Sequence, residues 1–439
     1  MKVLIVSMDS VGEGLPLAIR AAKAGHSVKL WLSPDNHENT GLGFKGVERV
    51  KNWLSHAKWS DLIVPTGNHD FVSKFDMLRK SGMKVFGPSE NSAALEIKRG
   101  KGMDLFKKCG IEVPEWSQFP TLEAAESHVR KTGKRYVFKN MGDEEDKSKS
   151  YVSKTAADMV ARLQRWKKLG MTDGAPFMLQ EVIEGIELGV SCWMGASGFI
   201  GKANENWEFK KLLSGNCGPN CGESGTVLKY VDKSKLAEQV LYPVEDELVK
   251  MGHLGDVDVN CIISQDGKAW PLEWTTRMGW PAANIMWATH KGDPIQWMAD
   301  AVDGIDSLEV SPQVACGIVV AQPDYPYSKK TKAETDGIPI YGVTPENQKY
   351  IAPQSVKIVP QPNMEGDKVI DKPTWTTTGD YICVVTALGK TVKQSCERAY
   401  KTVKELHIPD MIYRDDVGEK LEKELPELHK HGYATEFSY

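Results

Sequence analysis

Lys101 stands at the start of a predicted helix and Lys139 ends the apolar strand RYVFK, so each could aim an ammonium at phosphate oxygens. In QEVIEGIE, residues 180–187, backbone groups around Glu181 and Ile183 could read an adenine edge, while Glu187 could accept from ribose hydroxyls. PLEWTTRMGWP, residues 271–281, sets Glu273 at a strand end with Thr275 and Arg277 on the same alternate face. A carboxylate beside an arginine suits a magnesium-bound triphosphate. Asp258 and Asn260, two apart in GDVDVNCIIS, add hard oxygens suited to the same ion. The glycines of GPNCGESG let the backbone of Gly218, Pro219 and Asn220 approach an anionic or zwitterionic ligand closely. Each segment also has a plainer reading: a solvated lysine, an acidic turn, a structural ion pair, a surface loop. Together they are what ATP-driven joining of a carboxylate to an amine requires, namely cations for the triphosphate, a carboxylate for the metal and a place for two substrates.

The elements that must position these residues fall into three stretches. In residues 1–90, the apolar runs KVLIVS, SVKLWLS, DLIVPTG and KVFGPS each run into Gly, Pro or Ser, with a helix predicted over PLAIRAAKAGH. That pattern is α/β: a Rossmann-like, doubly wound parallel sheet with its ligand crevice at the strand C-termini. Residues 91–305 alternate helices such as AADMVARLQRWKKLG with strands such as FMLQEVI and ELGVSCWM, an α+β pattern. Residues 306–439 carry short strands, a segment 323–375 of loops and hairpins, and a helix beginning near Thr391.

Composition limits the partners. The chain has 439 residues with 55 basic and 59 acidic side chains, a net charge of −4, which leaves no basic field for nucleic acid. No apolar run reaches the length of a membrane helix, and the start MKVLIVSMDS turns polar too early for a secretory signal, so the expectation is a cytoplasmic protein. Its eight cysteines are expected as free thiols, and Cys217 with Cys221 has no second pair at zinc-binding spacing.

Taken in order, KVFGPSENSAALE (84–96), GPNCGESG (218–225), PLEWTTRMG (271–279), ACGIVVAQPDYP (315–326) and VVTALGKTV (384–392) resemble the phosphoribosylamine-glycine ligase family, part of the ATP-grasp superfamily. The resemblance implies an N-terminal domain for the amine substrate, two subdomains sandwiching ATP with the smaller at about 115–185, and a small β-rich C-terminal domain. It places ATP phosphates on Lys101 and Lys139, the nucleotide hinge at Gln180, Glu181 and Ile183, ribose on Glu187, and Mg2+ (or Mn2+) on Glu273. Substrates fall on Lys210, Gly218 to Asn220 and Arg277, with Arg277 and Lys139 as the catalytic pair. The implied reaction joins glycine to phosphoribosylamine through an acyl phosphate, in a monomer or small homo-oligomer. Three segments depart from the family pattern: the N-terminal turn carries Glu13, the ATP lid reads NMGDEEDKSKSYV with only Lys147 or Lys149 to reach phosphate, and Thr275 replaces an asparagine. These changes leave two other readings in play, a ligase for a different amine and amino acid, or a weakly catalytic nucleotide-binding relative. A nicotinamide-dependent dehydrogenase is disfavoured, since VGEG lacks the GxGxxG spacing.

Overall fold

The computed structural model describes residues 1–140, 150–170, 177–328 and 332–439. Its first sheet is parallel, ordered Val47–Arg49, Ser27–Leu32, Lys2–Ser7, Leu62–Pro65. The helix Leu15–Lys23 follows the first strand, with Pro16 in its first turn, where a missing N–H costs nothing. Leu15, Leu17, Ala18 and Ala21 are fully buried against Val3 and Ile5. KVFGPS contributes a single parallel bridge, Ile63 to Val85, because Gly87 and Pro88 end the extended run before a ladder can form. The sheet instead gains the short strand Val47–Arg49 at its far edge.

A second, four-stranded antiparallel sheet is ordered Trp116–Phe119, Phe177–Glu181, Tyr136–Asn140, Tyr151–Val152. Helices Leu122–Thr132 and Ala156–Lys168, each capped by a threonine side chain (Thr121 and Thr155), cover one face. Phe138 and Phe177 stack at 4.7 Å within that small core, beside Trp166. Burying each such side chain stabilises the fold by roughly 1.5–3 kcal/mol. Strand alternation then turns Val137, Lys139, Met178 and Gln180 to the opposite face, with Val137 paired to Gln180 and Lys139 to Met178.

The third sheet has eight strands, ordered Ala269–Thr275, Gly255–Ser264, Gly185–Gly195, Gly198–Glu208, Gly225–Tyr230, Val314–Ala321, Tyr381–Gly389, Ile351–Pro353. Its ladder continues without a break from Gly225–Tyr230 to Val314–Ala321, which joins the middle and C-terminal stretches of the chain. A long hairpin, Val356–Glu365 with Lys368–Thr378, pairs with Asp336–Ile340 in a separate sheet. Helix Arg99–Lys108 packs against Ala269–Thr275, where Phe106 stacks on Trp274 at 4.4 Å and Trp274 Nε1 donates to Gly102 O at 3.1 Å. Among the described residues, no helix is long and apolar enough to cross a membrane.

Candidate active site

Cross-strand partners share a face, so the register of the eight-stranded sheet draws polar side chains into two rows. One row carries Glu273, Asn260 and Asn206 across Gly189; the next carries Thr275, Asp258, Ser191 and Asn204. Gly189 leaves room for its neighbour, since a Cβ there would lie 2.3 Å from Asn206 Oδ1. The intervening side chains, Val257, Val259, Val190 and Leu188, enter the core on the other side.

At the rim of this face six charged side chains from separate segments converge. Glu273 Oε2 accepts from Arg99 Nη1 at 2.6 Å and lies 4.0 Å from Lys139 Nζ, while Glu273 Oε1 is 3.5 Å from Lys210 Nζ. Lys139 Nζ donates to Leu272 O at 3.2 Å. Lys210 Nζ stands 2.7 Å from Glu187 Oε1 and 3.3 Å from Glu208 Oε2, so three carboxylates close on one ammonium. Asn260 Nδ2 donates to Glu208 Oε2 at 3.0 Å, and Asn206 Nδ2 to Asp258 Oδ2 at 2.7 Å.

The electrostatics differ sharply within this small space. Burial opposes the charge on Glu273, but Lys139, Arg99 and Lys210 outweigh it and hold the carboxyl well below the usual range. Burial lowers Lys139 to about 8, with Arg99 and Lys210 adding to the effect and Glu273 opposing it. For Lys210 the burial penalty is overcome by Glu187, Glu208 and Glu273, which hold it well above its ordinary value. Asp258 is pushed well up by burial, then by Glu208 and Asp256.

Arg277 lies beside this cluster, where its Nη2 pairs with Glu96 Oε1 at 3.2 Å and its Nη1 donates to Met278 O. Glu96 in turn accepts from Asn68 Nδ2 and the Thr276 N–H. Gln180 is buried on the Lys139 face of its sheet, and neither atom of its amide has a hydrogen-bond partner. Glu181 pairs with Lys134, and Ile183 lies half-buried in the connection to the next strand. Lys101 is exposed on its helix, two residues after Arg99. Gly218, Pro219 and Asn220 form an edge of the small hairpin Lys211–Leu213 with Cys217–Asn220, whose neck is Lys210. Lys147 and Lys149 lie outside the described residues.

Three contributors escaped the sequence reading. Glu208 continues the alternation Asn204, Asn206, Glu208, a period-two signal that would have found it. Arg99 gave no signal apart from its helix start. Asp9 sits in the turn after the first strand, where its Oδ1 accepts the N–H groups of Val11 at 3.0 Å and Glu13 at 2.9 Å. Ser7 Oγ takes the Gly14 N–H at 2.8 Å and donates to Asp9 Oδ2 at 2.6 Å.

The cluster has the chemistry of a metal–triphosphate site. Among the described residues, no three His, Cys, Asp or Glu side chains form a ready cation cage. Mg2+ does not need one, since it binds through one or two carboxylates together with substrate phosphates. Glu273 and Glu208 are candidates for those carboxylates, and the buried Asn260 Oδ1, which lacks a hydrogen-bond partner, supplies a further hard oxygen. The residues therefore fit the ion.

Comparison with known proteins gives consistent results. Residues 102–283 match the family description "Phosphoribosylglycinamide synthetase, ATP-grasp (A) domain", and residues 315–420 match its "C domain", together more than half of the chain. The chain is 24% identical to a phosphoribosylamine–glycine ligase of Salmonella typhimurium over 95% of its length and 98% of that protein. It is 25% identical to one from Neisseria meningitidis over 79% of its length and 80% of that protein. The crystal structure of a Thermotoga maritima phosphoribosylamine–glycine ligase superposes with a TM-score of 0.71 at 20% identity, covering 94% of this chain and 99% of the other. A Campylobacter jejuni biotin carboxylase in complex with an ATP analogue gives 0.61 at 14% identity, covering 99% and 98%.

Proposed function

The chain belongs to the phosphoribosylglycinamide synthetase family, and from that premise we propose that it joins glycine to phosphoribosylamine with ATP, releasing ADP and phosphate. The observation that carries this reading is the convergence of Arg99, Lys139 and Lys210 on Glu273, Glu187 and Glu208 between two sheets. A glycine carboxylate oxygen attacks the γ-phosphorus and ADP leaves; the amine nitrogen then attacks the acyl phosphate carbonyl, and phosphate and a proton depart. No covalent bond to the protein forms. Lys139 and Arg99 neutralise the transferring phosphoryl group; Glu273 with Glu208 and Asn260 would hold Mg2+, which would supply further positive charge to the phosphates. Gln180, Glu181 and Ile183 form the base-binding edge, Glu187 takes the ribose, and Arg277 with the Gly218–Asn220 hairpin orients the carboxylate substrate. Arg99 takes the phosphate role that the resemblance gave to Lys101, because Lys101, two positions on in the same helix, is exposed on a different face. The proposed units are residues 1–90 for the amine, 91–305 for ATP and 306–439 completing the site, in a cytoplasmic monomer or small homo-oligomer.

Incubation with ATP, Mg2+, glycine and phosphoribosylamine should release ADP only when both substrates are present. Glu273→Gln should lower kcat by about a hundredfold or more, since it removes the charge that orders three cations and a metal. Absence of substrate-dependent ADP release would overturn the reading.

A second reading, a ligase for an amine without a phosphate, is favoured by the Asp9 turn. A strand–turn–helix entry ordinarily offers its N–H groups to a phosphate. Here an internal carboxylate and Ser7 take those of Val11, Glu13 and Gly14. Unphosphorylated ribosylamine having the lower KM would select this reading; phosphoribosylamine having it would reject it.

A further inference from the structure

The hairpin Lys211–Leu213 with Cys217–Asn220 is a sheet of its own, paired only at Lys211 with Asn220 and Leu213 with Cys217, with an irregularity between them. A two-stranded ribbon this short does not hold its shape in water unaided. Its turn adds strain, since Gly215 and Asn216 both take left-handed backbone angles, φ 69° and 55°. Whatever fixes this hairpin therefore lies outside it.

The fixing groups come from YRDDVG, residues 413–418, far along the chain. Arg414 is 1% exposed, and all three of its guanidinium nitrogens donate. Nη1 donates to Lys211 O and to Asn216 Oδ1, each at 3.0 Å. Nε and Nη2 form a fork on Asp416 at 2.7 and 2.8 Å, and Asp416 Oδ2 also accepts the Gly215 N–H at 2.8 Å. Ser214 Oγ donates to Asp415, and the Arg414 guanidinium lies 5.0 Å from the centre of the Phe209 ring. At the other foot of the hairpin the Tyr325 hydroxyl, also from the C-terminal stretch, donates to Cys221 O at 2.9 Å. Both feet are thus tied, while Gly218 and Asn220 stay exposed. The ladder from Gly225–Tyr230 to Val314–Ala321 already joins the two stretches of chain, so this clasp is not needed to hold them together. What it adds is the conformation of the hairpin, which a planar guanidinium with every nitrogen engaged fixes more closely than a single contact could.

We propose that Arg414 and Asp416 are positioning residues for the carboxylate substrate, acting through the hairpin to set the KM for that acid and not the affinity for ATP. The inference rests on the substrate role proposed above for Gly218–Asn220, and a contact displaced by a loosened loop weakens both binding and rate. The test is steady-state kinetics of the full chain with glycine varied at saturating ATP and phosphoribosylamine, alongside calorimetric titration with a non-hydrolysable ATP analogue and Mg2+. Arg414→Lys, which cannot form the fork, should raise the glycine KM by about tenfold or more and leave the affinity for the analogue unchanged. Asn216→Gly, at an exposed position whose φ suits glycine, removes one acceptor without endangering the fold and should raise the glycine KM by about threefold. Asn216→Asp keeps the acceptor and should restore the wild-type value. Peptide-resolved alkylation reads the hairpin itself: Cys221, half-buried at its foot, should react faster in Arg414→Lys, whereas Cys109, half-buried after helix Arg99–Lys108, should not. An unchanged glycine KM in a folded Arg414→Lys variant, or glycine KM and analogue affinity lost in equal measure, would overturn the proposal. A wild-type chain that releases no ADP with these substrates would overturn the ligase reading instead; the Cys221 rate then decides the clasp alone, acceleration in Arg414→Lys supporting it and an unchanged rate refuting it.

Discussion

Lys139 is buried and Lys210 half-buried near Glu273, yet their surroundings give them opposite characters. Lys210 is permanently charged among three carboxylates, whereas Lys139, lowered to about 8 by burial with two cations nearby, is the ammonium that titrates close to neutrality. The cationic form binds phosphate, so affinity for magnesium-ATP should fall as pH rises through about 8. Lys139→Arg, whose side chain does not deprotonate, should flatten that dependence in a calorimetric series; an unchanged slope would show that Lys139 is not the titrating group. Lys139, Glu187 and Glu273 were visible in the sequence, because lysines and carboxylates beside apolar strands stand out from their surroundings, whereas Lys210 came only through the family resemblance. Arg99 and Asp9 were not visible. One acts across a helix–strand contact and the other through backbone N–H groups in its own turn, and neither relation leaves a spacing pattern.

At the scale of elements, the position of Arg99 depends on how closely its helix approaches Ala269–Thr275. Gly102 permits that approach: a Cβ there would lie 2.5 Å from both Leu95 O and Trp274 Cδ1. Gly102→Ala should therefore push the helix away from the sheet, lengthen the Arg99–Glu273 contact and raise the KM for ATP, with a stability loss on the order of 1–3 kcal/mol. Urea denaturation and steady-state kinetics measure the two effects, and a variant with wild-type KM would remove this helix from the argument. The first strands and the helices with threonine caps were legible because period and cap signals agree locally. Thr391, for instance, accepts from the Gln394 N–H at the start of helix Val392–Glu405. The short strand Val47–Arg49 was not legible, since three residues carry no period and pairing with Ser27–Leu32 alone creates it.

At the scale of the whole molecule, the large sheet buries Asp256, whose carboxyl is pushed up to about 7 by burial, with the Ser191 hydroxyl opposing. The folded chain thus retains a proton that the unfolded chain releases near its ordinary value of 3.8. Stability from this group is greatest below that value and declines as pH rises to about 7. Asp256→Asn should raise the melting temperature at pH 8 and matter little at acidic pH, as read by scanning calorimetry; an equal effect at both would refute the assignment. Changes in pattern along the chain suggest three parts, but they do not reveal the continuous ladder, because pairing between residues 225–230 and 314–321 is non-local and carries no sequence mark. That ladder also bears on heredity. A recombination event that exchanged the C-terminal stretch with a distant relative would have to preserve the register of Gly225 with Ile318 and Leu228 with Ala315, or every inward side chain beyond the junction would face the wrong way. Lineages of this fold should therefore inherit the two stretches together, and amino-acid changes on either side of the seam should be historically coupled.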